Sequence, residues 1–223
     1  MINRLFITAF LVCLLPAATA FGQELRKEKL KGTSASNAGA NYAVFYSYGM
    51  PESAVWPLGM KLSRDGATIR HTHTKGNGEN IPVNDRVPFR FIIAPNELSD
   101  GSGKLYWAEA MSFHAGTGGD NNNLDPDGNF TSGYSGGCKN YSTTEFPSGW
   151  RLPTQREMML IWLFRSGINT IYGNALLGSE EGYWTATENT NNQAWYLFFS
   201  ETQPELTATR KTTAYRFRCV RDY

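Results

Sequence analysis

The first residues in this sequence able to do chemistry are its three cysteines, Cys13, Cys138 and Cys219. Cys13 sits in the apolar run Leu5–Leu15, which follows Arg4 and is followed by Pro16 and Ala18-Thr19-Ala20. A basic start, a short apolar stretch and small residues at its end define a secretory signal peptide cut before Phe21. Cys13 would leave with that segment. A lipid-modified cysteine needs a small residue immediately before it, and Val12 stands there. Two cysteines remain in an exported chain, and they most simply form one disulfide, with two free buried thiols as the alternative. A bridge between Cys138 and Cys219 would close a loop of about 80 residues, worth roughly 4 kcal/mol by loop entropy. No C-x-x-C is present, so thiol redox chemistry of that kind has no support.

Metal chemistry has three candidates, each with a plainer account. Asn123-Leu-Asp125-Pro-Asp127-Gly128, in the loop Asp120–Asn129, matches the first half of a calcium loop, with oxygen ligands at alternate positions and a glycine for the turn. Tyr134 stands where the bidentate acid belongs, which favours a solvated, turn-rich loop. His71 and His73 would share one face of a strand, but His114 is remote and no third ligand falls at a useful spacing; an exposed strand is the better account. Gln203-Pro204-Glu205 is a loose echo of the calcium-binding triplet of sugar-binding lectins, without the W-N-D that should follow it. A turn between strands accounts for these residues.

No catalytic residues are identified. G-x-S-x-G, H-E-x-x-H, a phosphate loop and a dinucleotide fingerprint are all absent, and no cofactor is implied. Glu157 is an acid in a favourable helical position, and helix capping explains it. Trp184 and Trp195 could present an aromatic surface to a glycan, but both lie in runs of core-type residues, which favours packing.

These residues belong to a chain of 223, with 41% hydrophobic, 13% aromatic and 18% charged content. Such a chain can bury a substantial core. Its hydrophobicity excludes a disordered protein, and its low charge excludes a coiled coil. The net charge is +1, and loss of Arg4 with the signal peptide leaves the mature chain formally neutral. Nothing in that balance points to nucleic acid. The apolar leader is too short for a membrane span, and the mature chain has none.

The positioning elements follow from pattern. Residues 1–20 are the signal peptide. Residues 21–41, charged and then small and polar, predict a flexible tether. Residues 42–102 predict a small β-rich region, with strands at Ala43–Tyr48 and Val87–Ile93 separated by glycine turns. Asn96–Lys104 is the expected junction. Five of six tryptophans and both mature cysteines lie beyond it, so residues 103–223 should hold the main core. Within them Tyr106–Met111 predicts a short first helix. Thr154 and Glu157 form a capping box for a second helix, covered on most sides and stopped near Gly167. Strands are expected at Tyr183–Thr187, Ala194–Phe199 and Ala214–Val220, the last with Tyr215, Phe217 and Cys219 on one face and Arg216 and Arg218 on the other. The fold class is α+β.

Four landmarks in order carry a family resemblance: Leu105-Tyr-Trp-Ala-Glu-Ala-Met111, Gly149-Trp-Arg-Leu-Pro-Thr154, Tyr183-Trp-Thr-Ala-Thr-Glu188 and Arg218-Cys-Val-Arg-Asp222. Over about residues 103–223 the chain resembles exported bacterial domains related to the C-terminal domain of Legionella collagen-like adhesins and to the Fibrobacter major paralogous domain. Similar modules occur in fimbria-associated surface proteins of Bacteroidetes. The resemblance implies a C-type-lectin-like fold, with two helices, a small antiparallel sheet and a disulfide from the first helix region to the last strand. Cys138 and Cys219 match that pairing. Between Met111 and Cys138 the chain departs from the family with a Gly/Asn/Asp-rich insertion. The expected function is a non-enzymatic binding or adhesion module of the cell envelope, in the periplasm or on the outer surface. Its partner would be a glycan or an envelope or host protein. A structural subunit of a surface fibre is the alternative. An envelope enzyme is the third, because formylglycine-generating enzymes elaborate a related fold; the reactive cysteine pair of that chemistry is missing.

Overall fold

Tyr42 to Tyr46 form an unbroken buried run, and that fact organises the sheet to which they belong. The computed structural model describes residues 23–32, 36, 38–47, 72–74, 80–82, 90–97, 103–114, 131–132, 134–173, 177–178, 180–190 and 193–223. In chain order the elements are β1 (Gln23–Leu30), β2 (Ala40–Ser47), β3 (Thr72–Thr74), β4 (Asn80–Pro82), β5 (Arg90–Ile93), α1 (Trp107–Ala110), β6 (Phe113–His114) and β7 (Thr131–Ser132). A single 3-10 turn at Cys138–Asn140 follows. Then come β8 (Trp150–Arg151), α2 (Gln155–Leu163), α3 (Arg165–Tyr172), β9 (Glu181–Thr190), β10 (Gln193–Phe199), β11 (Glu205–Arg210) and β12 (Val220–Asp222). The architecture is α+β.

The main sheet has five strands in the order β1-β2-β5-β12-β8, every neighbouring pair antiparallel. Both of its faces are covered, so β2 is buried and apolar from Tyr42 to Tyr46 instead of alternating. On one face Tyr42, Val44 and Ile92 join Trp107, Trp150, Trp184 and the two cysteines. On the other Ala43, Phe45, Phe91 and Val220 meet Met158, Ile161, Ile168 and Phe199. A second sheet, β11-β10-β9, is an antiparallel meander, and β3-β4 and β6-β7 are two-stranded ladders.

This topology corrects two expectations. The tether predicted over residues 21–41 is, from Gln23 to Leu30, an edge strand in full register with β2. Its charges misled because an edge strand has solvent beside it and tolerates lysine and glutamate, while Leu25 and Leu30 supply its contacts with the two cores. The boundary expected near residue 102 is likewise no break in the structure. The last strand, β12, lies between β5 and β8, so the N-terminal strands and the C-terminal segment share one sheet.

The capping box forms as predicted. Thr154 Oγ1 accepts from the Glu157 amide at 3.3 Å, and the Glu157 carboxylate accepts from the Thr154 amide at 2.8 Å. Every residue from Gln155 to Trp162 is buried. The helix does not run to Gly167, however. It ends at Phe164, and α3 follows directly, with Gly167 inside it and Gly173, at φ 75°, as the left-handed cap. The run Ala214–Val220 is also not one strand. Tyr215 and Arg216 make isolated bridges to Leu105 and Tyr183, and only Val220–Asp222 is a strand. Phe217 and Cys219 point inward as expected, but Arg218 is buried too, because α3 and the segment 94–97 cover the other face.

Candidate binding surface

The disulfide is present between Cys138 and Cys219, with Cα atoms 5.3 Å apart. It ties the 3-10 turn after the insertion to the residue immediately before β12. Around it the ends of the insertion are held tightly. Helix α1 stops because Ser112 takes a left-handed conformation at φ 70°. Its hydroxyl accepts from the Asn140 amide at 3.2 Å, which joins the two ends of the inserted segment. Gly137, at φ 77°, passes so close to α1 that a Cβ there would lie 2.1 Å from the Glu109 carbonyl oxygen and 2.5 Å from the Ser112 nitrogen. Phe113 pairs with Ser132 and His114 with Thr131, closing the base of the segment between them.

Three tryptophans have structural roles. Trp107 Nε1 donates to Thr185 O at 2.7 Å, Trp184 Nε1 to Leu105 O at 2.9 Å and Trp150 Nε1 to Phe146 O at 2.9 Å. The indoles of Trp107 and Trp184 therefore fasten distant segments, and that of Trp150 closes the local turn after Phe146, while all three fill core volume. Of the two candidates for an aromatic surface, Trp184 is fully buried and Trp195 is half-buried on β10.

A row of cation–aromatic contacts is present, and the sequence did not reveal it. Across one end of the main sheet the Arg26 guanidinium lies 4.6 Å from the Tyr46 ring centroid, and that of Arg90 lies 4.8 Å from the Tyr223 ring. Arg221 stacks at 4.7 Å on Phe146, which meets Tyr223 edge-on at 6.3 Å. Cations and rings alternate across β1, β2, β5 and the end of the chain, and Tyr223 is 41% exposed. These residues are scattered over nearly 200 positions, and only strand register unites them.

Glu157 does more than cap its helix. Arg151 donates to both of its carboxylate oxygens, at 2.8 and 2.7 Å, and also reaches Asp222 at 2.5 Å. Burial alone would lower the Arg151 pKa, but the two carboxylates reverse that and hold it above its ordinary value. The group links α2, β8 and β12. Its carboxylate is fully buried and spoken for, which suits structure and not acid–base exchange with a substrate.

His71 and the run Asn123–Gly128 lie outside the described residues, and of His73 and His114 the backbone alone is described, in β3 and β6. Among the described residues no group of three His, Cys, Asp or Glu side chains is placed to hold a metal ion. Gln203 and Pro204 form the turn from β10 to β11. There the Ser200 hydroxyl donates to Gln203 O at 2.6 Å and accepts from its amide at 3.1 Å. No helix among the described residues is long and apolar enough to cross a membrane.

No curated protein matches the chain. A family model does, and its span begins after β5 and includes both cysteines, the insertion, the capped helix and the meander. With residues 96–221 matched, more than half of its length, the chain belongs to the Lcl C-terminal domain family.

Proposed function

We propose that the protein is an exported, non-catalytic binding module of the cell envelope, built on a C-type-lectin-like scaffold. Membership of the Lcl C-terminal domain family supports an adhesin-like surface role. The observation that carries the reading furthest is the closed base of the insertion. Loops that recognise partners sit on rigid frames, and here the ladder of β6 and β7, the Ser112–Asn140 bond, the Gly137 contact and the disulfide fix both ends of residues 115–130. A segment rich in glycine, asparagine and aspartate is thereby presented from a point the core does not allow to move. The partner is a glycan or an envelope or host protein.

The test is binding of the mature chain, residues 21–223, to a glycan array and to envelope extracts, beside a variant in which 115–130 is replaced by a short Gly-Ser link. Binding lost in the variant at unchanged thermal stability is the expected result; equal binding by both would overturn the role of the insertion. Loss of binding on adding chelator would assign calcium to the Asp120–Asn129 loop.

The fibre-subunit reading draws support from one feature. β1 is an edge strand whose outer backbone groups face no other strand of the sheet among the described residues, whereas β2 is interior. High-mass assemblies that disappear on deleting Gln23–Leu30 would favour this reading.

A further inference from the structure

β1 ends the main sheet, and among the described residues no strand lies on its outer side. Its inner side is paired with β2 from Gln23 to Leu30 without a bulge. An edge is commonly protected by shortness, a proline, a bulge or a covering element. β1 is a long strand with neither proline nor bulge. Helix α3 approaches it at Leu25, whose Cδ2 lies 3.0 Å from where a Cβ on Gly167 would stand. Past that contact Lys27 and Lys29, on the same face, are exposed, as are Glu24 and Arg26 on the other. Charge is the protection that remains, and its pattern is selective.

The opposite edge of the sheet, β8, has only Trp150 and Arg151, so β1 is the sheet's one edge long enough to receive β1 of a second copy. Two copies joined antiparallel along this edge are related by a twofold axis perpendicular to the sheet. Residues that stand opposite each other share a face, so the axis must pass through a single residue position. With the axis at Lys27, β1 is used from Glu24 to Leu30, and Arg26 stands opposite Glu28 of the second copy, twice by symmetry. Leu25 meets Lys29 and Glu24 meets Leu30, while the Lys27 pair can splay into solvent on its long stems. An axis at Arg26 sets Arg26 against itself and Glu24 against Glu28. An axis at Glu28 sets Glu28 against itself and Lys27 against Lys29. An axis at Leu25 pairs Glu24 with Arg26 but leaves Glu28 to Leu30 without partners in β1. Unlike charges directly across a strand pair stabilise it and like charges oppose it, so the pattern favours Lys27.

We infer that the chain forms a twofold dimer in which β1 pairs with β1 of a second copy about Lys27, making the two main sheets one. Backbone hydrogen bonds supply the attraction, as in other strand additions, and the Arg26–Glu28 pairs fix the register. Both side chains are placed for this. Arg26 is exposed, and its ion pair with Glu24 at 2.7 Å lies at the surface, where such a pair adds little to stability. Glu28 accepts from the Tyr46 hydroxyl through Oε1, which leaves Oε2 for the second copy. The contact is its own complement, so it stops at two copies and occupies the edge on which the fibre reading depends. It is independent of what the insertion binds.

Sedimentation of residues 21–223 at concentrations up to about 0.5 mM should reach the mass of two chains and go no further. Arg26→Glu sets Glu against Glu28, and Glu28→Arg sets Arg against Arg26, so each variant alone should be monomeric where the parent is dimeric. An equimolar mixture of the two places unlike charges at both positions and should restore the dimer, a rescue that loss of folding could not give. Lys27→Cys should cross-link two copies under mild oxidation, because opposite Cα atoms lie about 4.5–5.5 Å apart, within disulfide reach. Lys29→Cys should not, being displaced about 14 Å along the strand from its own copy. A parent that stays monomeric or grows past two copies would overturn the inference. So would single variants that dimerise like the parent, a mixture that stays monomeric, or cross-linking at Lys29 in place of Lys27.

Discussion

At Glu157 one carboxylate satisfies the first turn of α2 and neutralises Arg151, and both interactions are shielded from solvent. Glu157→Gln keeps the shape but removes the charge, leaving Arg151 with the exposed Asp222. A loss of about 2–3 kcal/mol in denaturant unfolding is expected, below the full cost of breaking a buried pair because Asp222 remains. Thr154→Ala removes the other half of the cap and should cost about 1 kcal/mol in the same assay. Glu181 gives the acid dependence. Its hydrogen bond to Lys104 outweighs partial burial and, with Arg216, holds its carboxyl below the ordinary 4.5. A depressed folded value means stability that is complete above the unfolded pKa and lost as pH falls through the folded one. Unfolding free energy should therefore decline below about pH 5, and Glu181→Gln should flatten part of that slope. Tyr196 behaves oppositely. Burial, then its bond with Tyr215, pushes its hydroxyl up to about 12. Its contribution is full below the ordinary value of 10.0 and fades as pH rises towards 12, which a phenolate absorbance titration against stability would follow.

At the scale of elements, the disulfide and the glycine beside it act together on the insertion's base. A Cys138→Ala/Cys219→Ala double variant should lose roughly 4 kcal/mol by loop entropy, read from denaturant midpoints. The capped helix and the strands around Trp184 and Trp195 were legible in sequence because their signals are local: Thr154 and Glu157 are three residues apart, and β-branched and aromatic runs are contiguous. The end of α2 was not, because a glycine at 167 resembles a stop, and only the tertiary turn at Phe164 decides otherwise. Arg218 was misassigned to a polar face for a related reason. Period-two alternation says which side a residue faces, and the covering of that side by α3 is a long-range fact. The cation–aromatic row of Arg26, Tyr46, Arg90 and Tyr223 has no sequence signature at all. The cysteine pairing was legible because, once Cys13 is set aside with the expected leader, two cysteines have one simple partner each.

For the molecule as a whole, the shared sheet decides what can be isolated. Residues 103–223 contain the disulfide, the helices and the meander, but without β5 the strand Val220–Asp222 loses one of its two neighbours, and the apolar face on which Met158 and Phe199 pack loses Phe45 and Phe91. This fragment should show molten-globule behaviour, with retained far-ultraviolet and lost near-ultraviolet dichroism, whereas residues 21–223 should unfold cooperatively. Sheet order also has a consequence for time. A chain is made, and threaded through any pore, from its N-terminus, so β1, β2 and β5 emerge first and wait. The strand that joins them to β8 is residues 220–222, and the cysteine that closes the bridge immediately precedes it. Neither the sheet nor the covalent staple can be completed until residues 219–222 have arrived. Until then the early strands present an open, apolar edge at β5. Residues 219–222 thus close the sheet and the bridge together, and the strands that precede them stay incomplete without that short segment.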